Sequence, residues 1–159
     1  MGTTNFSDLA FDTVSGGGVT AAGSALTLTA ALHGGRTILL DTAAGSTVTL
    51  PAATGSGVKF RFLVSVIATS NSHIVKVANS SDTMTGMLAS ISDDAGFPLK
   101  GYTADATAGA DTITLNRTTT GSTVKGEWFE LEDYAANKWA VKGMIAATGT
   151  EATPFSATV

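Results

Sequence analysis

The side chains that could do chemistry in this sequence are few. There are two histidines, thirteen acids and no cysteine in 159 residues. The absence of Cys removes disulfides, thiol catalysis and thiolate metal sites. A nucleophilic triad needs a buried histidine oriented by a carboxylate. His33 sits in the Gly turn "LHGGR" and His73 opens a strand after "SNS", so both read as surface or turn histidines. Acids cluster in "EWFELED" (Glu127, Glu130, Glu132, Asp133) and in "SDDAG" (Asp93, Asp94). A glycosidase pair needs one acid desolvated enough to hold its proton. Along a strand, Glu130 and Glu132 share a face with Trp128, while Phe129 and Leu131 take the other. That pattern predicts a solvated polar face. Loop acids can also bind Ca²⁺, but no EF-hand spacing occurs.

Other motifs carry little. "GGGVTA" at 16–21 fits G-x-G-x-x-A, but that fingerprint requires a preceding strand and a following helix, and "AGSALTLT" reads as strand. No phosphate loop, G-x-S-x-G elbow or H-E-x-x-H occurs. The sequons at Asn5, Asn79 and Asn116 are expected by chance among so many Ser and Thr. Trp128, Trp139, Tyr102 and Tyr134 suit either a sugar platform or packing. Trp139 shares its face with Val141 and Ile145, which favours the core. No catalytic, cofactor or metal residue is expected.

The elements that would position these residues are strands. Leu26 and Leu28 alternate with Thr in "ALTLTA". "TILLD", "TVTLP" and "HIVKVA" are short strands, and Pro51 ends the second. "VKFRFLVSVI" is the clearest, with Val58, Phe60, Phe62, Val64 and Val66 inward. Residues 79–110 read as a long excursion or several short strands. Ile113 and Leu115 mark another strand. "VKGEWFELED" and "NKWAVKGMIA" form a hairpin around "YAAN". Eight or nine short strands and no amphipathic helix predict an all-β fold: an antiparallel, jelly-roll-like sandwich or barrel over 24–159. Residues 1–23 read as an extended arm with a Gly-rich hinge, its apolar anchors being Phe6, Leu9 and Phe11.

Charged residues are 14% of the chain and the net charge is −4. Affinity for nucleic acid rests on Lys and Arg against phosphates, so no nucleic-acid partner is expected. No apolar run is long enough for a membrane helix, and no membrane partner is expected. "MGTTNFSDLAFDTV" lacks the charged and apolar regions of a secretory signal.

The stretch "TILLDTAAGSTVTLPAATGSGVKFRFLVSV", followed by "SHIVKVANSSDTMTGML", resembles the capsid decoration (head cement) proteins of tailed bacteriophages. The likeness covers residues 26–159 in character and 38–88 in detail. Fibre and spike domains of phages carry similar "TVTLPA" phrases. The resemblance implies a homotrimer on the outer capsid surface at threefold or quasi-threefold positions, bridging subunits of the major capsid protein. It implies no cofactor and no catalytic residue. Phe6, Leu9 and Phe11 would then contact the capsid or a neighbour. The alternative is a trimeric head-fibre or tail-fibre domain that binds a host-surface glycan; an enzyme such as a depolymerase is the weakest of the three. At 159 residues the chain leaves little room for a fibre shaft with a receptor domain at its end.

Overall fold

The computed structural model describes residues 18–105 and 107–159. Phe6, Leu9 and Phe11 lie outside the described residues, as does most of the stretch read as an arm. Among the described residues twelve strands form two sheets: β1 (Val19–Ala21), β2 (Ala25–Thr27), β3 (Thr37–Leu40), β4 (Thr47–Thr49), β5 (Lys59–Val64), β6 (His73–Lys76), β7 (Thr83–Ser92), β8 (Leu99–Ala104), β9 (Thr112–Leu115), β10 (Trp128–Ala135), β11 (Lys138–Ala147) and β12 (Phe155–Ser156). A helical turn, α1 (Ala30–His33), is capped by Thr29, whose hydroxyl accepts the Leu32 N–H. The seven-stranded sheet runs β1-β3-β5-β10-β11-β7-β8, and the five-stranded sheet runs β12-β9-β6-β4-β2. Val19–Ala21, within the stretch read from the sequence as arm and hinge, is the first strand of the larger sheet.

A β-sandwich is present, but its pairing is mixed rather than wholly antiparallel. The first six strands alternate between the sheets. β1, β3 and β5 pair in parallel on one side, and β2, β4 and β6 pair in parallel on the other. The chain therefore winds as a coil, with Val19 beside Thr37 and Thr37 beside Arg61. Parallel strands need a long crossover, usually a helix. Here each crossover is a strand of the opposite sheet, which is why a sequence without amphipathic helices still builds parallel pairs. β10 and β11 then close as an antiparallel hairpin and attach to β5. Asn137 makes the turn with φ of 61°, a conformation Asn tolerates.

The core lies between the sheets. Phe60, Phe62 and Val64 alternate inward on β5, while Val66 beyond it and Val58 before it are half-buried. Phe62 stacks on Phe129 with centroids 5.0 Å apart, and Phe60 meets Trp139 at 5.9 Å. Val75, Val77, Ile113 and Leu115 are buried from the five-stranded side.

The stretch read as a long excursion or several short strands contains one ten-residue strand, β7, in parallel register with the whole of β11. Gly86 interrupts its pattern for a packing reason. Its φ is 123°, and a Cβ there would sit 2.1 Å from the Val141 carbonyl oxygen. The two strands close only because position 86 has no side chain. Gly86→Ala is expected to cost roughly 3 kcal/mol, from the strained φ and the backbone clash together. Chemical denaturation checks this; a loss below about 1 kcal/mol would mean that β7 pairs more loosely than described.

Candidate interaction surface

The acids of "EWFELED" have structural work, and the structure does not gather them into one site; Asp93 and Asp94 are exposed, and Asp93 accepts the Thr148 hydroxyl at 2.7 Å. Asp133 is buried at the end of β10. Its carboxylate accepts the N–H groups of Thr54, Gly55 and Ser56 at 2.7–3.0 Å, and the hydroxyls of Thr54 and Ser56 at 3.2 and 2.7 Å. Burial alone would raise its pKa; these bonds to the charged form overcome that and hold it at about 2. Glu127 is buried too and accepts the N–H groups of Ser122, Thr123 and Val124 at 2.6–2.8 Å. Here burial prevails over the hydrogen bonds, and the pKa is raised. Glu130 and Glu132 lie outward with Trp128, as the alternation predicts. They pair with Lys142 (3.0 Å) and Lys59 (3.2 Å) across the strands. Exposed pairs of this kind stabilise little.

The expectation for His73 does not hold. This histidine is buried between two loops. Nδ1 accepts the Ser46 N–H at 3.0 Å, so Nε2 carries the proton and donates to the Val66 carbonyl at 2.8 Å. Its place at the first position of β6, inward with Val75, puts it in the core; strand register was the overlooked signal. His33 is half-buried, and its Nδ1 accepts the Thr29 N–H at 3.0 Å. Asn79 and Asn116 spend their side-chain oxygens on the N–H groups of their own turns, and Asn5 lies outside the described residues. After "GGGVTA" the chain forms β2. Among the described residues, no group of three or more His, Asp or Glu is placed to hold a metal ion.

What stands out instead is a surface. On the outer face of the seven-stranded sheet one row reads Ala21, Leu39, Leu63, Trp128, Met144, Ala89 and Gly101, each in register with the next. Met144 is exposed, while Leu39, Leu63 and Trp128 are half-buried. Arg61 lies over the Trp128 ring, 5.4 Å from its centroid. Beside Trp128 and Met144 an apolar cleft of about 350 Å³ opens, bordered by Ile91, Val124, Lys125 and Ala146. The next row carries Arg61, Glu130 and Lys142. The outer face of the smaller sheet is different: Thr47, Thr49, Lys76 and Thr114 dominate it. A second apolar feature is the tip of the β7–β8 hairpin, where Phe97 is 73% and Leu99 63% exposed. Trp139 is fully buried, as its face predicts, whereas Trp128 lies on the outer row.

Comparisons with protein-family models, with curated proteins and with solved structures return no match.

Burial lowers the His73 pKa from its ordinary 6.5, against the opposing bond to Val66 and the charge of Asp41. The unfolded chain then binds the proton more readily than the folded one, so this contribution is complete above pH 6.5 and is lost as pH falls towards the folded value. Glu127, its pKa raised by burial, gives the opposite slope from its ordinary 4.5 upward. His73→Gln keeps one acceptor and one donor but does not titrate. The gap in Tm between native protein and His73→Gln is expected to narrow on acidification below pH 6.5, measured by thermal melts. A constant gap would show that His73 titrates equally in both states.

Proposed function

We propose that the protein is a viral structural protein that decorates the outer surface of a phage capsid and stabilises it by bridging major capsid protein subunits, as a homotrimer at threefold or quasi-threefold sites. The observation that carries this reading is the apolar tip of the β7–β8 hairpin. Phe97 and Leu99 project from a well-packed body, and a lone molecule gains nothing by exposing them. Burying two such side chains against a shell contributes about 3–6 kcal/mol before the costs of docking. Repeated around a threefold axis, that contact acts with avidity. The leading residues Phe6, Leu9 and Phe11 are a second contact, to the capsid or to a neighbour.

A glycan-binding fibre domain is the second reading. It draws support from the open polar cleft lined by Ser70, Asn71, Ser72, Asn116, Arg117 and Thr118, where the Asn71 amide and the hydroxyls of Ser70 and Ser72 suit a sugar.

One experiment separates the two: heating particles made with and without this protein while following genome release by dye fluorescence, and measuring adsorption to cells in parallel. The decoration reading predicts a lower rupture temperature without the protein, unchanged adsorption, and poor retention on the shell of a Phe97→Ser, Leu99→Ser variant. Unchanged rupture with lost adsorption would overturn it in favour of the glycan reading.

A further inference from the structure

We infer that two copies of this chain pair through the outer faces of their seven-stranded sheets, about a two-fold axis that runs along the strands between β7 and β11. This concerns the free protein and does not rest on the capsid reading. A shell that takes the β7–β8 tip would displace the second copy, and the trimer of that reading would then assemble on the shell.

The sizes of the outward side chains point to this partner. In the sheet order, β8 and β10 flank β7 and β11, so each lies one and a half strand spacings from the axis, about 7 Å. A half-turn sets β8 of one copy over β10 of the other, and β7 over β11. It also leaves the strands of the two faces aligned, one of the two ways in which sheets stack. In the middle row Gly101 then falls over Trp128, and Ala89 over Met144. In the next row Ile91 falls over Ala146, and Leu99, beside Ile91, over the part of the cleft that Gly126 borders. Small meets large in both rows, and the order inverts from one row to the next. Faces interdigitate where bulky positions meet small ones, and a two-fold contact makes each match twice. In the third row Met87 falls over Lys142 and Thr103 over Glu130, so no like charges are opposed.

Area and charge agree. Met87, Leu99 and Met144 are exposed on this face, with Val124 and Phe97 at its rim. The five strands from β5 to β8 span about 24 Å, and β7 and β11 run for about 33 Å, so the face offers up to about 800 Å². That is about what each partner of an ordinary stable complex buries. The two sides of the axis differ in charge. Asp93 and Asp94 are exposed in the β7–β8 turn, on the β8 side. Lys125 borders the cleft and Arg61 lies over Trp128, on the β10 side. Among the described residues none of these four forms an ion pair. The half-turn brings the acids of each copy towards the cations of the other.

Position 101 allows a test that spares the fold, because a Cβ built there meets nothing within 4 Å. Sedimentation equilibrium of the full chain across the micromolar range compares native protein, Gly101→Trp, Asp94→Lys, Lys125→Asp, and the variant with both charge reversals. The native protein is expected to have the mass of two chains. Gly101→Trp should keep the native circular dichroism and weaken pairing at least about tenfold. Each charge reversal alone should weaken it by a similar factor, and the two together should restore it. A monomer throughout would overturn the inference and leave the capsid reading standing, and so would a trimer. A pair that Gly101→Trp leaves intact would lie on another face and would overturn it as well. Charge reversals without effect, or a double variant that does not recover, would overturn the half-turn that sets acids against cations.

Discussion

One carboxylate holds the two halves of this fold together. The parallel coil of the first six strands and the antiparallel hairpin of β10 and β11 are built on different principles, and they meet where residues 54–57 approach the end of β10. The N–H groups of Thr54, Gly55 and Ser56 have no strand to pair with there, and Asp133 receives all three. The Gly57 N–H bonds to the Asp133 carbonyl and the Asn137 N–H to that of Ala53. The Ala53 N–H goes to a second buried carboxylate, Asp82. Backbone donors left unsatisfied cost about 1–3 kcal/mol each where water is excluded, so the side chain that satisfies three of them contributes heavily to closing this junction.

The closed junction fixes the relative position of β5 and β10, and that register composes the outer face. Leu63 stands beside Trp128, and Lys59 beside Glu132, only because β5 and β10 are locked in this pairing. A one-residue slip would turn the phenylalanines of β5 outward and its cations into the core. The same body carries the β7–β8 hairpin, held along β11 by the close approach at Gly86. The β7–β8 hairpin is therefore anchored to the core through β7, with Phe97 in its connecting turn and Leu99 at the start of β8.

Much of this was legible in the sequence where alternation was strict. β5 placed Phe60 and Phe62 inward, and the alternation in "WFELED" separated Phe129 and Leu131 from the acids. β7 was hidden because its small and polar residues, among them Gly86 and two inward serines, Ser90 and Ser92, blur the period. The parallel coil was hidden for another reason: a strand that crosses to the opposite sheet has the same local pattern as one that returns in a hairpin. Asp133 looked like one more acid in a charged run. Its role depends on a loop some eighty residues earlier in the chain, a separation that spacing alone does not bridge.

Amide hydrogen exchange in residues 54–56 tests this account most directly. Their side chains are exposed, and an unanchored surface loop exchanges through small local openings. If Asp133 is the clamp, the Thr54, Gly55 and Ser56 amides exchange as slowly as those of β5 and β10 at neutral pH, and Asp133→Ala releases all three together. Fast exchange of these amides in the native protein, with β5 and β10 still protected, would show that the two halves are joined by core packing alone and that the carboxylate is incidental.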